Sequence, residues 1–189
     1  MPLKIDKWVE YNFSKKIVDG LEVDDLLKWT PFTSIFILDL LGVKAKNNWK
    51  KHLLLFACCE TILSIVSNSL KKITHEHRPW PSIRFDSFPS GHADTSFAGA
   101  EIVRMELKDN YPVLSYTGYA IAATVSLMRL YEKKHWLSDL VAGAVLGFVC
   151  TKFTYWICKG KTKQTKKEQE TNVHVNESGQ LQFGFVPGH

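Results

Sequence analysis

The chain has 189 residues, enough for one domain with a sizeable buried core. Hydrophobic residues make up 45% of it and the mean hydropathy is −0.12, a low average for a protein with several membrane-spanning helices. Polar ends and connections lower that average, so membrane helices between them are not excluded. The net charge of +5 comes largely from lysines in the run 159–167. Without a recognition helix or interleaved aromatic residues, this run does not predict nucleic-acid binding.

The four cysteines indicate neither a metal site nor a disulfide framework. All lie in apolar runs, two are adjacent, and none has metal-ligand spacing: Cys58, Cys59, Cys150 and Cys158. Buried free thiols are therefore expected. The sequence predicts no metal and no other cofactor.

Residues 1–23 form the first predicted element. Apolar side chains recur at helical spacing from Ile5 and Trp8 to Phe13, with charged residues between them and Gly20 as a stop. This pattern predicts an amphipathic helix over residues 3–19. The helix can lie on a membrane surface or on the protein's own core, and the sequence favours neither placement.

Four longer apolar segments follow, at residues 26–43, 52–70, 112–130 and 138–158. As helices of roughly 18–21 residues they would extend about 27–31 Å, which matches the hydrocarbon core of a bilayer. A weaker helix is predicted over 92–106. The domain from 24 to 160 is thus expected to be an all-α bundle of about six helices embedded in a membrane. A soluble bundle with long buried helices is the alternative.

Residues 161–189 are polar and rich in Lys, Gln and Glu, which predicts a flexible basic tail. Two stretches within it, 173–175 and 181–185, alternate apolar and polar residues. They are compatible with a small β-hairpin, although two strands alone are marginally stable.

Three short clusters carry residues suited to chemistry on a phosphate ester. They are Lys71-x6-Arg78-Pro79, Pro89-Ser90-Gly91-His92 and Arg129-x5-His135-x3-Asp139. The first supplies two cations, and the second supplies a turn entering a helix with a titratable histidine. The third supplies another arginine, then a histidine and an aspartate on one helical face. Phosphoryl transfer through a phosphohistidine needs this combination of charge neutralisation, nucleophile and proton donor.

The cations are predicted to hold the phosphate. Arg78 and Arg129 can each grip two phosphate oxygens, and Lys71 adds a point charge. The backbone N–H groups of Ser90 and Gly91, at the beginning of a helix, can point at an anion.

The two histidines are predicted to divide the remaining work. The Asp139 carboxylate, one helical turn after His135, can hold one ring nitrogen protonated and leave the other to attack phosphorus. His92 has no carboxylate partner at helical spacing, and it suits the general acid that protonates the leaving oxygen and later activates water. Taken singly, each residue has an ordinary structural explanation, such as helix decoration or snorkelling. Their joint order and spacing favour a site.

Two other groups of polar residues near the clusters are not predicted to belong to the site. His75 and His77 alternate with other residues beside Arg78, a pattern that shows no metal-ligand geometry by itself. Residues 132–134 are expected to form a solvated loop, with contact to a substrate headgroup as the alternative.

The three clusters resemble the signature of the type 2 phosphatidic acid phosphatase family, lipid phosphatases that share a helical core with vanadium haloperoxidases. The resemblance extends over roughly residues 24–158 and is strongest to bacterial membrane-type members. It implies a metal-independent phosphatase with His135 as nucleophile, Asp139 as its partner and His92 as acid. It also implies that the phosphate is cradled by Lys71, Arg78, Ser90, Gly91 and Arg129.

The chain departs from the family pattern at two places. Met128 precedes Arg129 where the family usually has serine, so no phosphate contact is carried over to position 128. Residues 1–23 are too charged to form the family's first membrane span.

The resemblance implies hydrolysis of a phosphate monoester or diphosphate of a membrane lipid. The substrates considered are undecaprenyl diphosphate, phosphatidylglycerol phosphate, phosphatidic acid and the phosphates of lipid A. The alternatives are a vanadate-dependent haloperoxidase, a soluble non-specific acid phosphatase, and a membrane scaffold without activity. No oligomeric state is indicated.

Because the three clusters must meet, they are expected to lie on one side of the membrane. The short, cation-rich connection 44–51 and the tail after residue 159 are assigned to the other side, which the positive-inside rule places in the cytoplasm. In a bacterial inner membrane the site would then open towards the periplasm.

Overall fold

The computed structural model describes residues 2–13, 23–80, 82–171, 173–175 and 181–183, and the fold it shows is predominantly α-helical. Its helices are α1 (Lys4–Phe13), α2 (Val23–Leu27), α3 (Thr30–Leu40), α4 (Trp49–Thr74), α5 (Gly91–Leu107), α6 (Thr117–Tyr131) and α7 (Leu137–Thr171), with a 3₁₀ turn at Leu114–Tyr116. The predicted all-α fold is confirmed. By its contacts the chain divides into two compact units, residues 1–152 and 153–189.

Helix α5 is the buried centre of the first unit. It packs against α3, α4 and α6, and most of its residues are inaccessible to solvent. Small residues let its neighbours approach closely: a Cβ at Gly99 would lie 2.9 Å from the backbone nitrogen of Phe32. The Phe32 ring in turn stacks on Phe56 of α4, with 3.6 Å between ring centroids. The segment predicted as the weakest helix is therefore the one around which the others assemble.

Helix α7 packs against the first turns of α5 through two glycines spaced four residues apart. A Cβ at Gly143 would lie 2.6 Å from the Ser90 carbonyl oxygen, and one at Gly147 would lie 2.3 Å from the Asp94 carbonyl oxygen. Both neighbours are backbone atoms, which cannot move aside as a flexible side chain can. Small residues at this spacing are a common means of close helix packing in membranes.

Among the residues that the structure describes, two helices are long and apolar enough to cross a bilayer. They are α4, with 26 residues, and the 22-residue stretch of α7 from Leu137 to Cys158, corresponding to about 39 and 33 Å of helix. Most of each apolar window is not buried within the protein. Exposed aliphatic side chains such as Leu54, Ile65 and Val145 point away from the bundle, which favours hydrocarbon around these helices over the soluble alternative.

The other two predicted spans are shorter than the sequence suggests. Segment 26–43 divides into α2 and α3, and α3 has 11 residues with Pro31 in its first turn. Segment 112–130 begins with the 3₁₀ turn and then forms the 15-residue α6. The apolar composition of both segments continues into turns, so composition alone overestimates the helix length.

Helix α1 docks on the beginning of α7. The Asp6 carboxylate accepts hydrogen bonds from the Ser138 backbone N–H at 2.9 Å and from the Ser138 hydroxyl at 2.8 Å. Val9 packs with Ala93, Leu130 and Leu140, while Ile5 and Trp8 remain more than half exposed. The helix thus contacts the core with one face and presents apolar side chains outward with the other. The predicted continuation from residue 14 to Gly20 lies outside the described residues.

At the far end of α5 from His92, buried polar contacts secure the α3–α4 connection. His52 and Glu106 are fully buried with 3.0 Å between Nε2 and Oε2, and Asn47 donates to the same carboxylate. The Asn110 side chain donates to the Lys44 carbonyl. The connection 44–51 and the turn around 108–110 therefore lie together.

The second unit begins within α7, which continues to Thr171 through the stretch expected to be flexible. Lys, Gln and Glu are good helix formers, which accounts for this difference. Beyond it, β1 (Val173–Val175) pairs antiparallel with β2 (Leu181–Phe183), with Val173 opposite Phe183. This is the small hairpin with which the sequence is compatible.

Candidate active site

The three clusters converge on a cavity of about 430 Å³ at one end of the bundle. The last turns of α4 and α6, the first turn of α5, helix α2 and the connections before α5 and α7 contribute to it. Its walls are formed by Asp25, Lys28, Lys71, Arg78, Arg84, Asp86, Gly91, His92, Arg129, Lys134 and His135. Six basic and two acidic side chains leave an excess of four positive charges with neutral histidines. Such a cavity attracts anions.

Arg78 is held in the connection between α4 and α5. Its guanidinium forms two hydrogen bonds with the Asp86 carboxylate, at 2.9 and 3.3 Å, and Arg84 contacts the same carboxylate at 2.5 Å. Partial burial alone would raise the pKa of Asp86. The two arginines outweigh this effect and lower that pKa. Asp86 thus stays ionised and fixes both guanidinium groups at the cavity wall.

The turn from α6 to α7 brings Arg129 and His135 to the same cavity. Lys133 has φ +55°, its N–H bonds to the Leu130 carbonyl, and the Lys134 N–H bonds to the Arg129 carbonyl. These are the two hydrogen bonds of a Schellman motif with a lysine in the left-handed position. The motif ends α6 at Tyr131, two residues after Arg129, whose side chain is buried with 5% of its surface exposed.

His135 is buried and held by the connection before α5. Its Nδ1 is 2.9 Å from the Ser87 carbonyl oxygen and 3.6 Å from Asp139 Oδ2. The carbonyl can only accept, so Nδ1 carries the proton and Nε2 has the lone pair. Burial, with the charges of Arg78 and Arg129, lowers the pKa of His135 to about 4 against the attraction of Asp139. The imidazole is therefore neutral at neutral pH.

Asp139 organises the turn more than it contacts the histidine. Its Oδ2 accepts hydrogen bonds from the Ser87 hydroxyl and, at 2.9 Å, from the Trp136 backbone N–H. The sequence predicted a direct hydrogen bond from His135 to this carboxylate. In the structure His135 Nδ1 bonds to the closer Ser87 carbonyl oxygen instead. The i, i+4 spacing places the two side chains side by side. Ser87, in the connection before α5, is closer to Nδ1 than Asp139 is and accepts its hydrogen bond.

His92 opens helix α5 and has a partner that the sequence did not suggest. Its Nε2 is 2.6 Å from Oδ1 of Asp25 in α2, and the same oxygen is 3.1 Å from Lys28 Nζ. Burial, then the charges of Arg129 and Lys28, lower the pKa of His92 to about 4, while Asp25 opposes this shift. Burial alone would raise the pKa of Asp25. The hydrogen bonds from Lys28 and His92 outweigh this effect and lower that pKa to about 2.

The Ser-Gly turn is only partly available to an anion. The Ser90 backbone N–H, predicted to face a phosphate, donates instead to the Asp139 carbonyl at 3.1 Å. The Ser90 hydroxyl is fully buried and has no hydrogen-bond partner in the described part of the chain. Gly91 lines the cavity, and a Cβ there would lie 3.8 Å from Lys71 Nζ. The turn therefore joins the second cluster to the third as well as bordering the cavity.

Six of the eight predicted site residues line the cavity. Asp139 lies behind His135, with 3.6 Å between Oδ2 and Nδ1, and the Ser90 backbone N–H bonds to the Asp139 carbonyl. Sequence reasoning missed Asp25, Lys28, Arg84, Asp86 and the carbonyl of Ser87. Of these, only Arg84 could have been suspected from the sequence, because it is a cation in a connection beside the clusters; the same holds for Lys134. Lys134, which was predicted to lie in a solvated loop, lines the cavity.

The histidines beside Arg78 have other contacts. His75 and His77 lie against the Phe85 ring, with centroids 6.5 and 3.8 Å apart, and the His77 carbonyl accepts from the Trp136 indole. Across the residues that the structure describes, no group of three metal-ligating side chains is formed.

Comparison with known proteins identifies the family. The lipid A 1-phosphatase of Porphyromonas gingivalis is 28% identical over 137 residues, which are 72% of this chain and 31% of that protein. A probable lipid phosphate phosphatase 4 of Arabidopsis thaliana is 28% identical over 102 residues, 48% of this chain and 31% of that protein. The chain thus spans about a third of the length of these curated relatives.

Two solved structures share the fold. LpxE of Aquifex aeolicus superposes with a TM-score of 0.56 at 16% identity, covering 82% of this chain and 94% of that one. A transmembrane PAP2 type phosphatidylglycerolphosphate phosphatase of Bacillus subtilis also gives 0.56, at 19% identity, covering 82% and 85%. The family model of the PAP2 superfamily matches residues 52–163, which include all three clusters. The chain belongs to the PAP2 superfamily.

Proposed function

We propose that the protein is a metal-independent lipid phosphatase that hydrolyses a phosphate monoester or diphosphate of a membrane lipid through a phosphohistidine. The observation that carries the proposal is the meeting of two histidines with the cations of the first and third clusters around one cavity. Phosphoryl transfer depends mainly on positioning and charge neutralisation, and this cavity offers both.

In the first step His135 Nε2 attacks phosphorus while the bond from phosphorus to the leaving lipid oxygen breaks. His92 transfers a proton to that oxygen, and the lipid alcohol or lipid monophosphate departs. In the second step His92 takes a proton from water, the resulting hydroxide attacks phosphorus, and the phosphorus–nitrogen bond breaks to give inorganic phosphate and neutral His135. The His135 tautomer fixed by Ser87 supports these roles, because it leaves Nε2 with the lone pair.

Lys71, Arg78 and Arg129 are proposed to bind the phosphoryl oxygens. They come from different parts of the bundle and all line the cavity. Three fixed cations supply the neutralisation that metal ions give in other phosphatases. The proposal therefore includes no cofactor.

A lipid substrate is supported by the apolar surface of α4 and α7 and by the names of the curated relatives. The lipid headgroup stays open among undecaprenyl diphosphate, phosphatidylglycerol phosphate, phosphatidic acid and lipid A phosphates. We further propose that the protein is integral to a bacterial inner membrane, with the cavity open to the periplasm and the C-terminal tail in the cytoplasm.

The test is phosphate release from these four lipids by detergent-solubilised protein. We expect release from at least one lipid, insensitivity to EDTA and inhibition by vanadate, which can adopt the transition-state geometry. His135→Asn should abolish release, whereas His75→Asn, a matched change at an exposed histidine, should leave it within about twofold. A base-stable, acid-labile phosphoprotein in the wild type alone would identify the intermediate.

Three results would contradict the proposal. Activity lost on chelation and restored by a divalent ion would indicate a metal enzyme. Substantial turnover by His135→Asn would exclude that residue as nucleophile. Halide oxidation with added vanadate and no phosphate release would favour the haloperoxidase alternative.

A further inference from the structure

Helix α2 carries a carboxylate into the cavity, and that carboxylate contacts the residue proposed as general acid. Asp25 Oδ1 is 2.6 Å from His92 Nε2, a short distance for a hydrogen bond to a carboxylate. The His92 side chain is 14% exposed, whereas that of Asp25 is 43% exposed. The contact joins residues 67 positions apart in the chain, so it depends on the packing of α2 beside α3 and α6.

His92 needs such a partner because its surroundings are positively charged. Lys28 from the turn after α2, Lys71 from α4 and Arg129 from α6 all line the same cavity. The connection before α5 adds Arg78 and Arg84, and the turn before α7 adds Lys134 beside neutral His135. Asp86, the second carboxylate of the cavity, is occupied by Arg78 and Arg84. Asp25 is left to balance these charges at His92.

A general acid must hold its proton until the leaving oxygen takes it. Burial and neighbouring cations both disfavour the imidazolium, and they lower the pKa of His92. A carboxylate bonded to one ring nitrogen stabilises the imidazolium and fixes the ring plane, as a carboxylate does for histidine in serine hydrolases.

We propose that Asp25 is a positioning residue for general acid catalysis: it accepts the His92 Nε2–H and so orients the ring to donate from Nδ1 to the leaving oxygen. The inference rests on the proposed phosphatase function and extends it to a residue outside the three clusters. Lys28, bonded to the same carboxylate at 3.1 Å, holds Asp25 in place.

The test compares two substrates that differ in their need for an acid. An alkyl phosphate, such as a short-chain phosphatidic acid, requires protonation of the leaving oxygen. p-Nitrophenyl phosphate does not, because its leaving group is stable as an anion. We expect Asp25→Asn to lower kcat on the alkyl phosphate about 10- to 100-fold, which is part of the roughly 10²- to 10⁴-fold that general acid catalysis contributes. On p-nitrophenyl phosphate the loss should stay within about threefold.

The pH profile gives a second measure. In Asp25→Asn the alkaline limb of kcat for the alkyl phosphate should move to lower pH, because the imidazolium loses its counter-charge. Asp25→Glu should recover part of the activity. Asp39→Asn, the same change at an exposed residue of α3, is the matched control and should behave as wild type.

Equal losses on both substrates with an unmoved alkaline limb would show that Asp25 is merely structural, and undiminished activity would show that it is dispensable. Either result overturns the inference while leaving the phosphatase proposal intact. Failure of the wild-type protein to release phosphate from any substrate would instead overturn the proposed function itself.

Discussion

At the scale of single residues, the contacts of Asp139 divide its effect between rate and stability. Its Oδ2 accepts from the Ser87 hydroxyl and the Trp136 N–H, so Asp139→Asn disturbs the turn that holds His135. We expect kcat to fall by about 10²- to 10⁴-fold, by analogy with the carboxylate of serine hydrolases. The free energy of unfolding should fall by about 1–3 kcal/mol, because a neutral amide oxygen accepts these buried hydrogen bonds more weakly than a carboxylate does.

Ser87→Ala separates the two contributions of this network. It removes the hydroxyl that contacts Asp139 but retains the carbonyl that accepts from His135. Its kcat should fall less than tenfold, a range set by the modest net energy of one hydrogen bond. Steady-state kinetics and denaturant unfolding in detergent measure both quantities. A rate for Asp139→Asn within threefold of wild type would mean that the carboxylate is not needed.

The histidines also set the pH dependence of the reaction. His135 must be neutral to attack, and because its pKa is held at about 4, kcat/KM should fall only as the pH drops towards that value. The proton for the leaving group is shared between His92 and the substrate phosphate, whose second pKa is about 6. We therefore expect kcat/KM for a monoester to decline above about pH 6. A profile that stays flat into the alkaline range would contradict this assignment.

How far these residues could be predicted depends on how local their contacts are. His135 and Asp139 follow from helical spacing, and the cations follow from the motifs. The bond from His135 to the Ser87 carbonyl spans 48 positions and involves a backbone atom. The bond from His92 to Asp25 spans 67. Such contacts arise from the packing of distant segments, which periodicity and charge do not encode.

At the scale of helices, the α5–α7 contact positions the two histidines. Gly147→Ala would place a Cβ 2.3 Å from the Asp94 carbonyl oxygen, and the helices would have to separate. We expect a loss of about 1–3 kcal/mol in the free energy of unfolding, typical of overpacking. Activity should fall as well, because His92 begins α5 while Asp139 lies in the first turn of α7.

Val145→Ile is the control for Gly147→Ala. It adds a methylene to the exposed face of the same helix and should change neither stability nor activity measurably. Thermal unfolding in detergent, together with phosphate release, measures both variants. Wild-type stability in Gly147→Ala would show that the two helices can part without cost.

The helices themselves were predicted in order and type, but not in length. The spans α4 and 137–158 were foreseen because their apolar runs are about 20 residues long and contain few charged residues, Glu60 in the first and Asp139 and Lys152 in the second. α3 and α6 are shorter than their apolar runs, since turns adjoining a membrane or a core are also apolar. α7 extends past residue 160 because strong helix formers continue there. Composition identifies where a helix lies more reliably than where it ends.

At the scale of the whole molecule, the distribution of cations predicts its orientation. The connection 44–51 contains four lysines. Six cations at the other end line the cavity, where the proposed phosphate binding accounts for them. The positive-inside rule then places 44–51 in the cytoplasm.

Cysteine labelling in intact spheroplasts tests this orientation. In a background with Cys58, Cys59, Cys150 and Cys158 replaced, Ser178→Cys should react with an impermeant thiol reagent only after permeabilisation. Ile83→Cys, at an exposed position in the connection before α5, should react without it. The reverse labelling pattern would show that the protein has the opposite orientation in the membrane.

The docking of α1 determines how the protein should be produced. Asp6 supplies the acceptor for both donors of Ser138, and Glu10 lies 3.7 Å from Lys133 in the turn that leads to His135. An expression strategy that trims or replaces residues 2–13 would remove these supports from the catalytic turn, although none of those residues lines the cavity. Affinity tags are therefore better attached with this segment kept whole. Inactivity of a trimmed protein would report a loosened turn rather than a missing chemical group.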